Sequence, residues 1–277
     1  MGICVSGLPR KTYATHFAAQ RVAENYRHRP PYSPEVIDTF LSLLVEPRTV
    51  LDVGCGPGKL TFALVDQVEG VDAVDPSEEM LRLARAEPHG ADPRIRWMLG
   101  RTEDASLGGP YGLVVAGASI HWMDLEIVLP RFAQVLAPSG ILAMVDGDAP
   151  IGAPWEADEK ALFIDFIERL QGAPPKFPAT PLLGLERPIL EHALFRRMGG
   201  KITAPWPVMQ SVDDYLGCQH SRATWSEDYM GAAMAAEFDA KMRALLAPHA
   251  SSGMLRYEVR SRLEWGKPLK TPANLAP

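Results

Sequence analysis

From residue 49 onward, short apolar runs alternate with stretches whose apolar residues recur every three or four positions. Segments 49–53, 71–74, 95–98, 111–116 and 141–145 have strand length and are rich in Val, Ile and Leu. Between them, 58–68, 77–87 and 124–136 carry helical spacing. Ser77 is placed to cap the second of these helices, with Glu78 and Glu79 in its first turn. Pro130 marks either a kink in the third or its true start, and Pro138-Ser139-Gly140 reads as a turn. Strands without polar alternation, separated by helices, pair in parallel inside a sheet covered on both faces.

The flanks follow other rhythms. Segment 13–29 reads as a helix anchored by Phe17, Val22 and Tyr26. Pro30, Pro31 and Pro34 end it, and Pro34 suits the first turn of a helix over 34–45. Beyond strand five, 155–171 is an amphipathic helix carrying Trp155, Leu162, Phe163, Phe166 and Leu170, and the proline-rich stretch 172–181 has the composition of a linker or lid hinge. Segment 185–198 reads as a helix closed by Gly199-Gly200. Segment 202–208 is an edge strand at best, because Pro205 and Pro207 cannot donate to a ladder. Segment 212–247 is mostly helical, and 255–265 alternates as strand seven. The expected organisation is a flexible leader (1–12), a cofactor-binding core with N-terminal cap helices (13–149), a helical insertion or lid (150–200), the remainder of the sheet with inserted helices (201–266) and a loose tail (267–277).

The densest chemistry lies where the first strand ends, in Val50-Leu51-Asp52-Val53-Gly54-Cys55-Gly56-Pro57-Gly58. Glycines there allow unusual φ and let the backbone approach a ligand, at the edge where open α/β sheets bind their ligands. The dinucleotide fingerprint needs a third glycine where this chain has Lys59, so that match fails. Asp75 follows at the end of strand two, where a carboxylate can accept both hydroxyls of a ribose.

This order of strand, glycine loop, helix, strand and acid resembles the class I S-adenosylmethionine-dependent methyltransferases. Gly100-Arg101-Thr102-Glu103-Asp104 resembles their adenine-side loop, and Leu136-Ala137-Pro138-Ser139-Gly140 the turn before their fifth strand. The stretches Ala23-Glu24-Asn25-Tyr26-Arg27, Arg29-Pro30-Pro31-Tyr32 and Ser119-Ile120-His121-Trp122 resemble the subgroup that includes trans-aconitate methyltransferases. The likeness is specific over about 20–145 and diffuse beyond. It implies a Rossmann-like α/β fold whose seven-stranded, mostly parallel sheet has the order 3-2-1-4-5-7-6, strand seven antiparallel. Helical insertions follow strand five and separate strands six and seven.

The resemblance also implies S-adenosyl-L-methionine as cofactor. Its amino-acid end would lie over Gly54, Gly56 and Gly58 with help from Asp52, and its ribose would lie on Asp75 beside Pro76. Met80 would pack on its adenine, Thr102 and Glu103 would run along the adenine edge, and the backbone of Ala116 would meet its amino group. Asp52 could equally cap the loop, and Met80 could be helix core. His121, past strand four, is the candidate general base or an organiser of its loop. Trp122 would wall the acceptor pocket. Tyr26 and Tyr32 would cap the cofactor, with a tyrosine face toward the sulfonium, or simply pack on the sheet. Arg222 would pair with a substrate carboxylate or phosphate, or form an exposed salt bridge.

Composition narrows the partner. The chain has 277 residues, 47% hydrophobic and 22% charged, enough to bury a core without disulfides or a metal. Its net charge of −6 argues against nucleic acid, although Arg21, Arg27, His28 and Arg29 form either a local basic patch or a solvated helix end. Cys4, Cys55 and Cys218 form neither a disulfide framework nor a zinc cluster and read as reduced thiols of a cytoplasmic protein. No apolar run approaches the ~20 residues of a membrane span, while Met1-Gly2-Ile3-Cys4-Val5-Ser6 fits a myristoylation frame. Aromatic residues in the insertions, Phe177 and Trp206 among them, suit an apolar pocket for a small organic acceptor. The expectation is a monomer or homodimer that methylates a small molecule, with oxygen the favoured acceptor atom. Methylation of nitrogen, carbon or sulfur is the alternative in the same class. A nicotinamide-dependent oxidoreductase and a non-catalytic cofactor-binding protein are the alternatives outside it.

Overall fold

In the computed structural model, residues 20–172 and 187–271 are described. The leader with its myristoylation frame, Phe17, nearly all of the proline-rich stretch with Phe177, and the end of the tail lie outside the described residues. The chain divides into a sheet unit (31–146, 182–203 and 261–277) and a helical unit (1–30, 147–181 and 204–260).

The sheet unit is built on strands β1 (Thr49–Val53), β2 (Gly70–Asp75), β3 (Ile95–Leu99), β4 (Tyr111–Gly117) and β5 (Leu136–Asp146). The numbering of the remaining strands continues with β6 (Pro150–Ile151), β7 (Phe195–Ile202), β8 (Trp206–Ser211), β9 (Met254–Val259) and β10 (Arg262–Pro268). The seven-stranded sheet has the order β3-β2-β1-β4-β5-β10-β7. β1 to β5 pair in parallel, and β10 runs antiparallel to both of its neighbours. Counting β7 as strand six and β10 as strand seven gives the expected order 3-2-1-4-5-7-6.

Both faces of the central strands are buried, which explains their continuous apolar runs. Val50, Leu113, Val115, Ile141 and Ala143 point into one core cluster, and Leu51, Val53, Val114, Ala116 and Leu142 into the other. The helices beside them are α2 (Pro34–Leu43), α3 (Lys59–Leu64), α4 (Glu78–Ala86) and α5 (Leu125–Val135), with α1 (Gln20–Asn25) preceding them in the helical unit. Pro34 opens α2 as expected. The Ser77 hydroxyl caps α4 by accepting from the Met80 N–H, and Asp124 caps α5 through the Glu126 N–H. Pro130 therefore lies inside α5 rather than at its start.

Four expectations about elements are corrected. Pro138-Ser139-Gly140 is not a free turn but an irregularity within β5, which pairs Leu136 with Tyr111 and then Ile141 with Leu113. Segment 185–198 is not one helix. A single turn, α7 (Arg187–Leu190), follows α6 (Glu156–Gln171) in chain order, and then β7 begins. Gly199 and Gly200 lie inside β7: a Cβ on Gly199 would stand 2.6 Å from the Trp265 ring, so they mark close approach rather than a helix stop. Third, 255–265 is two strands in two sheets. β9 ends at Val259 and β10 starts at Arg262, with the Thr203 N–H donating to the Ser261 carbonyl at 2.9 Å beside the break. Fourth, segment 202–208, expected as strand six, does not fill that place: β7 does, and Trp206–Ser211 is β8, an edge strand paired with β9 in the other sheet.

The helical unit holds the antiparallel three-stranded sheet β6-β9-β8 and the helices α6, α8 (Val212–His220), α9 (Glu227–Met230) and α10 (Ala232–Leu246). Its core is aromatic. Trp225 stacks on Phe163 at 4.8 Å and on Phe238 at 5.3 Å, with Phe166 edge-on to Phe238. These insertion aromatics are core. No helix among the described residues is long and apolar enough to cross a membrane.

Candidate active site

Because β1 to β4 are parallel, the loops that follow them leave from one edge of the sheet unit. The glycine loop is the first. Gly54, Gly56 and Gly58 all have positive φ (65°, 54° and 87°). A Cβ on Gly54 would lie 2.5 Å from the Ser119 Cβ, so the β1 and β4 loops meet in a contact that only glycine permits. The Ser119 hydroxyl donates to the Val53 carbonyl at 2.5 Å and locks the two together. The Val74 carbonyl accepts from both Gly54 and Cys55 N–H, tying the loop to the end of β2.

Asp75 ends β2 and is buried. Its Oδ2 accepts the Gly56 N–H and its Oδ1 the Ser77 N–H, each at 2.8 Å. Burial raises its pKa to about 6 against the pull of these two donors. Pro76 beside it is exposed. β3 returns alongside, with the Gly100 N–H donating to the Asp75 carbonyl at 3.0 Å. Leu99, at the end of β3, is 56% exposed, an apolar surface next to the acid.

Asp52 lies on the face of β1 that meets α3. Its Oδ2 accepts from the Thr61 hydroxyl at 2.7 Å, while its Oδ1 is buried with no hydrogen-bond partner. Burial drives its pKa up to about 7; the Thr61 hydrogen bond opposes this and the nearby Asp75 carboxylate adds to it. An orphaned buried acceptor is costly in isolation. It fits a ligand that brings a cationic donor into the loop.

Thr102 and Glu103, after β3, are both buried. Glu103 accepts the Asp124 N–H and the Arg101 guanidinium at 3.0 Å each. Burial opposes its ionisation, but these two donors hold its pKa below the usual value. The carboxylate thus braces the start of α5. Met80, one turn into α4, is fully buried. β4 runs one residue past Ala116, to Gly117, where a Cβ would strike the Tyr32 hydroxyl at 2.5 Å. Ala118 then takes a left-handed φ of 49° and launches the 3-10 turn Ile120–Trp122. His121 and Trp122 are half-buried on that turn, with ring centroids 4.6 Å apart.

The loops of one edge of the sheet unit therefore carry the three glycines, Pro76, Thr102, Glu103, His121 and Trp122, with Asp52 and Asp75 at the ends of β1 and β2 and Tyr32 against Gly117. Tyr26 and Arg222 belong to the helical unit. The cation over the Tyr26 ring is the Arg29 guanidinium, 4.4 Å from its centroid. Arg222 is not an exposed salt bridge: it is mostly buried and donates to Asp148 at 2.7 Å. Sequence reasoning missed Ser119, Thr61, Leu99 and Gly117. Gly117 carried a signal as a glycine ending a fully apolar strand, and Ser119 stood in the Ser119-Ile120-His121-Trp122 stretch without a role of its own. No group of His, Cys, Asp or Glu suited to a metal occurs among the described residues.

Comparison with known proteins agrees with this geometry. A methyltransferase domain family matches residues 50–140. An uncharacterized methyltransferase of Mycobacterium tuberculosis (strain ATCC 25618 / H37Rv) is 41% identical over 120 residues, 43% of this chain and 47% of that protein. A trans-aconitate 2-methyltransferase of Azoarcus sp. (strain BH72) is 38% identical over 104 residues, 36% of this chain and 40% of that protein. The chain thus spans less than half the length of these two relatives. A solved structure from Anaeromyxobacter dehalogenans, provisionally assigned as a type II methyltransferase, superposes with a TM-score of 0.63 at 21% identity. It covers 88% of this chain and 99% of that one, and shows the fold.

Proposed function

We propose that this chain, whose residues 50–140 form a methyltransferase domain of the class I S-adenosylmethionine-dependent kind, transfers a methyl group to a small organic acceptor. The observation that carries the reading is the buried, unpartnered Oδ1 of Asp52 beneath a glycine loop tied to a second buried acid, Asp75. A pyrophosphate brought to this loop would meet two carboxylates, whereas S-adenosylmethionine brings an ammonium, a sulfonium and ribose hydroxyls. Lys59 at the third-glycine position points the same way, against a nicotinamide dinucleotide.

Asp75 would hold the ribose hydroxyls, Asp52 would answer positive charge at the loop, and Gly54 to Gly58 would admit the ligand against the backbone. Pro76, Leu99 and Thr102 would flank the base, with Met80 behind them, Glu103 bracing the loop and Ala116 presenting backbone at the end of β4. When bound, S-adenosylmethionine supplies a methyl group already activated by its positive sulfur. The chain then has to align the acceptor, a contribution of ~7–11 kcal/mol where alignment is complete. His121 would take the proton of a hydroxyl acceptor, and Trp122 and Tyr32 would shape the acceptor's surroundings. Oxygen is the favoured acceptor atom because a half-buried imidazole on the β4 loop suits a hydroxyl, which needs a base. The Azoarcus relative, named for a small organic acid, supports a small-molecule acceptor.

The test is a thermal-shift panel on the whole chain with S-adenosylmethionine, S-adenosylhomocysteine and NAD, since a ligand bound only by the native state raises apparent stability. Stabilisation by the first two and not the third is expected. Stabilisation by NAD alone overturns the reading.

A further inference from the structure

Beneath the glycine loop, one helix residue is polar where the packing asks for an apolar one. Thr61, in the first turn of α3, is fully buried. Its helix packs Leu60 and Leu64 into the core cluster that holds Val50 and Val115. A valine would fill the same space without a hydroxyl to desolvate. A buried threonine in a helix commonly satisfies its hydroxyl on the carbonyl four residues back. Thr61 instead donates across to β1, to Asp52 Oδ2 at 2.7 Å.

This bond makes the two carboxylate oxygens of Asp52 unequal: Oδ2 is engaged, while Oδ1 is buried and unpartnered. It also bears on the charge. Asp52 pairs with Ala73 of β2 and Val115 of β4, and α2 adds Val36 and Phe40 to the same core. In these apolar surroundings burial drives its carboxyl up to about 7. The Thr61 hydroxyl is the strongest influence the other way, helped by the Thr61 N–H, whereas the Asp75 carboxylate adds to the rise. The Cys55 thiol is pushed up by burial and stays neutral. Lys59 is the cation in the first turn of α3. On α2, Glu35 pairs with Lys201 at 2.6 Å and Asp38 is exposed. Without the Thr61 hydroxyl, Asp52 would keep its proton to higher pH and offer a cation little.

We propose that Thr61 is a positioning residue for the cofactor: its hydroxyl takes up Oδ2 of Asp52 and so reserves Oδ1 for the positive charge of bound S-adenosylmethionine. This rests on the methyl-transfer reading above. The competing role is mechanical, a peg that fastens α3 to β1.

Calorimetric titration of S-adenosylmethionine into the whole chain at pH 6 and pH 8 separates the two roles. A cation favours the carboxylate, so affinity rises with pH as Asp52 loses its proton. Thr61→Val keeps the shape and removes the donor. It should bind the cofactor about tenfold more weakly than the wild type at pH 6 and within about threefold of it at pH 8, where Asp52 ionises in both. Asp75 and the cofactor's own amine titrate in both proteins and largely cancel in that ratio. Thr61→Ser restores the donor and should regain wild-type affinity at both pH values. A mechanical peg loses affinity by the same factor at both. That result overturns the proposal, and so does wild-type affinity of Thr61→Val at pH 6. Asp52→Asn provides a background with no buried carboxylate to leave unpartnered, so Thr61→Val can be read there even if the single variant does not fold. In that background Thr61→Val should change affinity at neither pH, and a further loss overturns the proposal. A folded wild type that does not bind S-adenosylmethionine defeats the methyl-transfer reading as well; binding with the wrong pH pattern defeats the role of Thr61 alone.

Discussion

Asp52→Asn is expected to make the cofactor-free chain more stable than the wild type above neutrality and to lose most or all of that advantage in acid. In the folded chain, burial holds the Asp52 carboxyl at about 7 rather than 3.8. A carboxyl whose folded pKa is raised keeps a proton that the unfolded chain releases. Wild-type stability from this group therefore falls as pH rises between about 4 and 7. The gap corresponds to on the order of 4 kcal/mol once both states are ionised, an upper bound because water entry softens it. The amide preserves an acceptor for the Thr61 hydroxyl. It also places a buried N–H where the orphaned Oδ1 stood, at a cost of about 1–3 kcal/mol. The net expectation is a gain of about 1–3 kcal/mol at pH 8; at pH 5, where about 1.6 kcal/mol of the ionisation cost already weighs on the wild type, it lies between a gain of about 0.5 and a loss of about 1.5 kcal/mol. Asp75 titrates in both proteins, so its contribution largely cancels in the difference. Urea denaturation of the two cofactor-free proteins at both pH values measures this directly. A stability difference of the same size and sign at pH 5 and pH 8 would refute the reasoning.

Other outcomes follow from the same geometry. Asp75→Asn offers an acceptor to only one of the Gly56 and Ser77 N–H groups. It should lose about 1–3 kcal/mol of stability and weaken S-adenosylmethionine binding by at least about tenfold in calorimetry; undiminished affinity contradicts the ribose assignment. Gly54→Ala forces a side chain into φ 65° and onto the Ser119 Cβ, which should cost about 2–4 kcal/mol in thermal denaturation. Ser119→Gly in the same chain should recover part of that loss, and a single variant as stable as the wild type would show that the loops do not meet as described. For His121→Ala, turnover with a hydroxyl acceptor should fall about 10²–10⁴-fold while cofactor affinity holds. If His121→Asn restores the rate, the imidazole is an organiser and not a base.

The parallel core was legible because strands buried on both faces leave continuous Val, Ile and Leu runs, and the helices between them carry their own caps. β1 starts and ends where the sequence placed it, and Ser77 caps the second helix as its position predicted. β7 was hidden because it lies at the sheet edge. Only Phe195 among its residues is buried, so neither a helical nor a strand period stands out. The division between β9 and β10 was invisible because the alternation runs unbroken through Ser261, while the sheet partner changes from β8 to β5 and β7. In the site, Asp52 and Asp75 were readable from their spacing around the glycines. Thr61 and Ser119 were not, since a single hydroxyl in a helix or loop carries no spacing signal. Arg222 looked like a surface charge, and only the fold buries it against Asp148, 74 residues away.

The central claim is that the glycine loop, with Asp52 and Asp75, is built for S-adenosylmethionine. Titration calorimetry of the whole chain at pH 7, in two buffers of different ionisation enthalpy, tests it most directly. The account predicts saturable binding, with an apparent heat that differs between the buffers because Asp52 and Asp75, at about 7 and about 6, release protons when a cation arrives. NAD should give no binding heat. A folded chain that binds NAD, or that takes up S-adenosylmethionine without any exchange of protons, would contradict the account.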